Sequence, residues 1–127
     1  MAIRLLVIAL GGALGALARY AVSEWFMRRF PAGTLLVNVV GCLLIGLVMG
    51  LSIHRPWPSH TARLFFVTGF LGALTTFSTF GWQTISLAQK NDFLLATANV
   101  VLSLVLSLVA VAVGFQGGLA FAPPASE

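Results

Sequence analysis

Three short polar connections divide the chain into four apolar stretches, at about 3–23, 34–53, 62–87 and 93–115. Each is long enough to cross a bilayer as a helix, since a span needs about 20 mostly apolar residues at about 1.5 Å of rise per residue. Composition agrees with lipid as the solvent: of 127 residues, 59% are hydrophobic and 8% charged. A water-soluble domain carries about 25% charged residues, so the charge needed to coat a soluble surface is missing. The chain therefore reads as an all-α membrane protein with four transmembrane helices. One domain covers 1–118, and a disordered tail with Pro123 and Pro124 covers 119–127.

A net charge of +4 would point a soluble chain toward nucleic acid. Here the seven Lys and Arg are scattered singly or as one pair, and anchoring of helix ends among headgroups explains them without a nucleic-acid partner. The start MAIRLL resembles a signal peptide, yet the apolar run continues with no small-residue cleavage site, so it reads as the first retained span. Cys42, the single cysteine, sits in an apolar run and reads as small filler. With four spans, and leaving aside Arg19 inside or at the end of the first stretch, Arg4, Arg55 and Arg63 fall on one side of the membrane and Arg28, Arg29 and Lys90 on the other. Orientation follows the excess of Lys and Arg in short cytoplasmic loops, and a three-to-three split favours neither direction. That balance is what a chain inserted both ways would show, and opposed insertion allows an antiparallel homodimer.

Gly11, Gly12 and Gly15 in the first stretch, and Gly41, Gly46 and Gly50 in the second, mark faces where helix backbones approach closely. Pro31 with Gly33 reads as the first turn, and His54 to His60, with Pro56 and Pro58, as the second. Lys90, Asn91 and Asp92 form the third, with Asn91 or Asp92 as the N-cap of the fourth helix. The third stretch differs from the others, because its centre from Gly69 to Gly81 collects threonines, a serine and glycines, all poor helix formers. A break at mid-membrane is expected there. Backbone freed from a helix at that depth must be satisfied by protein or by a polar cavity, so a break would mark a site.

Enzymatic constellations are missing. The three acidic residues, Glu24, Asp92 and Glu127, fall at helix ends or in the tail. His54 and His60 share a loop without a thiol or carboxylate to complete a metal set. What remains at depth is neutral and hydrogen-bonding: Asn38, Thr75, Thr76, Ser78, Thr79, Asn99, Ser103 and Ser107. A hydroxyl can bond its own helix, whereas a buried asparagine is costlier to satisfy. Asn99, Ser103 and Ser107 are spaced by four and share one helix face. A donor-rich path without charge suits a small anion, because it replaces hydration water without trapping the ion. Phe77 and Phe80 could present positive ring edges to an anion, or could simply pack. Arg19 could draw anions into a vestibule, or snorkel to the headgroups. Two other readings stay open at this point. One is a small multidrug-type exporter, against which the lack of a mid-span carboxylate speaks; the other is a non-transporting packing subunit.

Three motifs occur in order: GGALGALARY from Gly11 to Tyr20, GTLLVNVVG from Gly33 to Gly41, and GFLGALTTFSTF from Gly69 to Phe80. In them, over about the first two thirds of its length, the chain resembles the Fluc family of fluoride channels, also called CrcB. The resemblance implies an antiparallel, dual-topology homodimer in a bacterial inner or plasma membrane. It implies two pores for passive, electrodiffusive export of fluoride, protecting the cell from fluoride toxicity. The third helix would be broken at mid-membrane, with a structural sodium ion at the dimer centre held by the backbone carbonyls of Gly72 and Thr75. Asn38, Phe77 and Phe80 would line the fluoride path, Thr79, Ser103 and Ser107 would form its polar track, and Arg19 would stand in the vestibule. Family members often carry a second glycine after Gly72, where this chain has Ala73; a carbonyl ligand would survive that change.

Overall fold

A computed structural model describes residues 1–26, 29–53 and 58–121. Four helical spans follow one another: α1 (Ala2–Trp25), α2 (Ala32–Leu51), a compound third span over His60–Gln89, and α6 (Phe93–Phe121). All four are long and apolar enough to cross a membrane. The third is assembled from pieces: one turn, α3 (His60–Arg63), a π-helical stretch over Leu64–Leu71, another turn, α4 (Gly72–Leu74), and then α5 (Phe77–Gln89). Between α4 and α5 the backbone is extended, with φ −80° and ψ 149° at Thr75 and φ −150° and ψ 126° at Thr76.

Glycine decides how the helices meet. A Cβ at Gly46 or Gly50 of α2 would strike the carbonyl of Val111 or Phe115 on α6. A Cβ at Gly114 or Gly118 of α6 would strike that of Leu43 or Leu47 on α2. The first and third spans repeat the device, with Gly11 and Gly15 seated on the Phe65 and Phe70 carbonyls and Gly69 seated back on Ile8. In lipid there is no hydrophobic drive between helices, so such close approach supplies the dispersion that holds them. The buried cluster of Val37, Leu71 and Leu74 is correspondingly small, while Leu5, Leu14, Leu94, Leu104 and Leu108 face outward.

Several local expectations are corrected. Gly33 lies within α2, behind Pro31 at the N-cap position; a Cβ there would stand 2.7 Å from Ser23 Cα, so it serves a close contact and not a turn. Helix α6 continues to Phe121, taking in residues 119–121 that composition assigned to the tail, because Gly118 is packed on α2 and carries the helix onward. Of the two N-cap candidates, Asp92 directly precedes α6 and its carbonyl accepts the Ala96 N–H at 2.9 Å, whereas Asn91 caps the helix before it. At φ 60° it is left-handed, its N–H bonds Ala88 O at 3.0 Å, and the Asp92 N–H bonds Leu87 O at 3.0 Å, together closing the end of α5. The Asp92 carboxylate accepts from Arg29 at 2.7 Å, tying the first connection to the third. That hydrogen bond, and then the charge, raise the Arg29 pKa above its ordinary value. Arg28, the residues from His54 to Trp57, and 122–127 lie outside the described residues.

Candidate functional site

The extended pair Thr75–Thr76 is held by groups from several directions. Thr75 directs both its N–H (3.1 Å) and its hydroxyl (3.0 Å) to Leu71 O. Its methyl occupies the space that Gly41 leaves on α2, where any Cβ would collide with it. Asn38, one turn before Gly41, meets Thr76 twice: Thr76 N–H donates to Oδ1 at 2.8 Å, and Nδ2 donates to Thr76 O at 3.1 Å. The Thr76 hydroxyl then opens α5 by accepting the Thr79 N–H at 3.2 Å and donating to Thr79 Oγ1 at 3.1 Å.

These bonds redirect two N–H groups. In an unbroken α-helix Thr76 N–H would close on Gly72 O, and Thr79 N–H on Thr75 O. They go instead to Asn38 Oδ1 and Thr76 Oγ1, so the carbonyls of Gly72 and Thr75 lose their usual helical donors. Both are neutral oxygen ligands of the kind a hard cation takes.

A cavity of about 310 Å³ opens beside this junction, and five of the six residues read as path residues line it: Asn38, Phe77, Phe80, Ser103 and Ser107. Thr79, the sixth, stands behind Thr76 through its hydroxyl contact. Thr75 also lines the cavity, whereas Gly72 and Arg19 are not among its walls. Arg19 is half-buried on α1. No charged side chain is among the lining residues described. The Phe77 and Phe80 rings lie 5.3 Å apart at 50°, and their exposures differ sharply, 78% against 8%. Cys42, read as filler, lines the same space.

Asn99 departs from its expected place on the path. It is 1% exposed and is not among the lining residues. Its Nδ2 donates to Thr84 Oγ1 at 2.9 Å, that hydroxyl donates to Phe80 O at 2.9 Å, and Ser103 Oγ donates to Asn99 Oδ1 at 3.5 Å. Asn99 therefore clamps α5 to α6 and fixes the backbone that carries Phe80. The Ser103 bond is long, and so yields readily to a better acceptor in the cavity.

A second cavity, about 220 Å³, lies along the same α2–α5 seam, walled by Ser23, Arg29, Thr34, Gln83, Ser86 and Lys90 among others. Thr34 Oγ1 and Gln83 Oε1 are buried there without a partner among the described residues. Leaving such an atom unmet costs about 1–3 kcal/mol, so these two call for water or a polar ligand. The sequence reading missed both, although Thr34 sits one turn before Asn38 and Gln83 three residues after Phe80.

Residues 6–115, which take in nearly all of the four spans, match the family model described as "CrcB-like protein, Camphor Resistance (CrcB)". The chain belongs to the CrcB family. Among CrcB relatives, it is 42% identical over 113 residues to the fluoride-specific ion channel FluC of Clostridium novyi, covering 86% of this chain and 88% of the relative. It is 46% identical over 108 residues to the protein of the same name from Geotalea uraniireducens, covering 82% and 87%. With the one from Hydrogenovibrio crunogenus it shares 42% over 126 residues, 96% of each chain. With four apolar spans, this CrcB chain is a multi-pass membrane protein.

Proposed function

We propose that this CrcB chain is a fluoride channel, a transporter and not an enzyme, through which the anion leaves the bacterial cytoplasm passively. The observation that carries the reading is the cavity beside Thr75–Thr76, lined by an amide, hydroxyls and two phenylalanines and, among the described residues, by no charged group. The relatives named above as fluoride-specific channels support it. Fluoride is small and tightly hydrated, so it enters protein only where close donors replace its water. Asn38 has one Nδ2 hydrogen left after serving Thr76. Ser103, Ser107 and Thr79 offer hydroxyls, and Phe77 and Phe80 offer ring edges. With no fixed cation on this stretch the ion is not held, and a negative-inside potential drives it outward. Arg19 serves the vestibule. The test is flux from liposomes under a potassium diffusion potential: fluoride is released and chloride is retained, and equal chloride release would sink the reading.

The four spans act as one domain and pair as an antiparallel homodimer. Two observations favour the pair. Phe77 lines the cavity yet is 78% exposed, as expected of a path residue whose other wall is a second subunit. Among the described connections and ends, Arg4 and Arg63 on one side balance Arg29 and Lys90 on the other. The helix interruption at mid-membrane is favoured by Thr75 and Thr76 standing midway along the 30-residue third span. A sodium ion between subunits suits the Gly72 and Thr75 carbonyls, whose usual donors are diverted; when bound, it supplies positive charge that neutral oxygens from both copies share. Labelling single cysteines from one side in a Cys42-free protein tests the arrangement, and uniform one-sided labelling would overturn it.

A further inference from the structure

Asn99 is the largest of the described side chains to be fully buried, and it reaches the uncharged cavity only through an intermediary. That intermediary is Ser103, one turn along α6, which lines the cavity and is itself 7% exposed. The two ends of the Asn99 amide are used unequally. Nδ2 donates to Thr84 Oγ1 at 2.9 Å, and Thr84 passes its own hydrogen to Phe80 O at 2.9 Å. At the other end, Oδ1 accepts the Ser103 hydroxyl at 3.5 Å. An O–H···O bond is ordinarily about 2.7–2.8 Å long, and a helical serine has a ready alternative in the carbonyl four residues back. For Ser103 that carbonyl is the main-chain oxygen of Asn99. Among the described residues the hydroxyl makes the long bond to the side chain and none to that oxygen.

We propose that Asn99 is a positioning residue of the anion path: it keeps the Ser103 hydrogen on a weak, neutral acceptor from which an arriving fluoride takes it. The inference rests on the fluoride-channel reading and deepens it, by naming how one donor of the path is readied. An O–H bond to an anion is about 2.5–2.7 Å long and about twice as strong as a neutral one, so the hydrogen turns toward the ion. Only the hydroxyl rotates; no covalent bond changes. The buried Oδ1, left without this donor, draws the hydrogen back once the ion has moved on. Thr84 serves the exchange by fixing the amide plane, and with it the direction of Oδ1.

The competing account is that Asn99 only fastens α5 to α6, for which the Nδ2 bond suffices and Oδ1 is idle. Thr84→Val cuts the fastening and leaves Oδ1 in place, whereas Asn99→Leu, of similar volume, removes both ends. Fastening alone makes the two variants equal. Under the proposal Asn99→Leu costs more, because Ser103 then closes on its own helix at short range and releases its hydrogen less readily. That excess vanishes in a Ser103→Ala background, where there is no hydrogen to hold.

The experiment measures fluoride release from liposomes by the full chain. Thr84→Val is expected to lower the rate about twofold and Asn99→Leu about tenfold; with Ser103→Ala already in place, their effects should agree within about twofold. Equal single variants, or an excess that persists without Ser103, would overturn the positioning role. Infrared spectra of protein carrying carbon-13 in its asparagine side-chain carbonyls read the exchange directly. Fluoride should move one of these bands to higher wavenumber, as its hydrogen bond is lost, and should not do so in Ser103→Ala. No such shift, or one that survives Ser103→Ala, also overturns the role. Should Asn99→Leu fail to fold, the infrared shift decides alone. An unaltered protein that releases no fluoride would remove the channel reading itself. A conducting protein in which Thr84→Val matches Asn99→Leu removes only the positioning role.

Discussion

Along α2 the protein makes two kinds of contact. Toward its C-terminal end, Gly46 and Gly50 rest on the Val111 and Phe115 carbonyls of α6 while Gly114 and Gly118 rest on those of Leu43 and Leu47, backbone on backbone with no polar side chain spent. Nearer its start, Asn38 meets Thr76 through two hydrogen bonds, and Gly41 yields space to the Thr75 methyl. The first contact is closed and leaves nothing for a ligand. The second consumes one asparagine and two threonines, and leaves over an amide hydrogen, two carbonyls and a cavity. A chain in lipid must satisfy every backbone polar group internally. Where glycine lets intact helices touch, this happens without further help; where helix geometry is given up, side chains take over and their remaining hydrogen-bonding capacity becomes a site.

Substitutions can separate the two. The largest effect is expected at the closed contact: Gly114→Leu drives a side chain into the Leu43 carbonyl, costing about 3 kcal/mol or more. Folded protein should be lost on size-exclusion in detergent, and a well-behaved, conducting variant would break the comparison from that side. Asn38→Leu comes next. It leaves Thr76 N–H and C=O unmet at about 1–3 kcal/mol each, yet spares the glycine contacts. Folded protein should survive in reduced yield while fluoride flux falls at least about tenfold, and flux within twofold of normal would show that the seam does not serve conduction. Phe80→Ile should act most narrowly, since it keeps apolar volume and removes the ring edge. Flux is expected to drop about fivefold, with unchanged thermal stability, and an unaltered rate would return Phe80 to packing.

Much of this was legible in the residues. The four spans follow from hydropathy and length, because lipid leaves little alternative to helix for a 20-residue apolar run. Asn38 stood out because an amide at depth must be answered by something. Other features were hidden because one residue type serves two purposes. Asn91 favours both an N-cap and the left-handed end of a helix, and the Leu87 and Ala88 carbonyls it helps to close decide for the second. Asn99 shares its spacing with Ser103 and Ser107, yet Thr84 lies within reach and turns it into a clamp. Gly118 looks like the edge of a tail until α2 is placed beside it. Thr34 and Gln83 looked like ordinary helix surface, and only their burial without partners singles them out.

Thr76 amounts to a β-strand one residue long. Its dihedral angles are those of a sheet, and the Asn38 amide offers it both the acceptor and the donor that a neighbouring strand would provide. A side chain can imitate a peptide group in this way only if it is a primary amide of the right reach: aspartate lacks the donor, and glutamine is one methylene too long. The asparagine is therefore engaged before any ion arrives. In the proposed channel an anion passing it would meet a single hydrogen, whose direction is set by the peptide on the other side of the same amide plane.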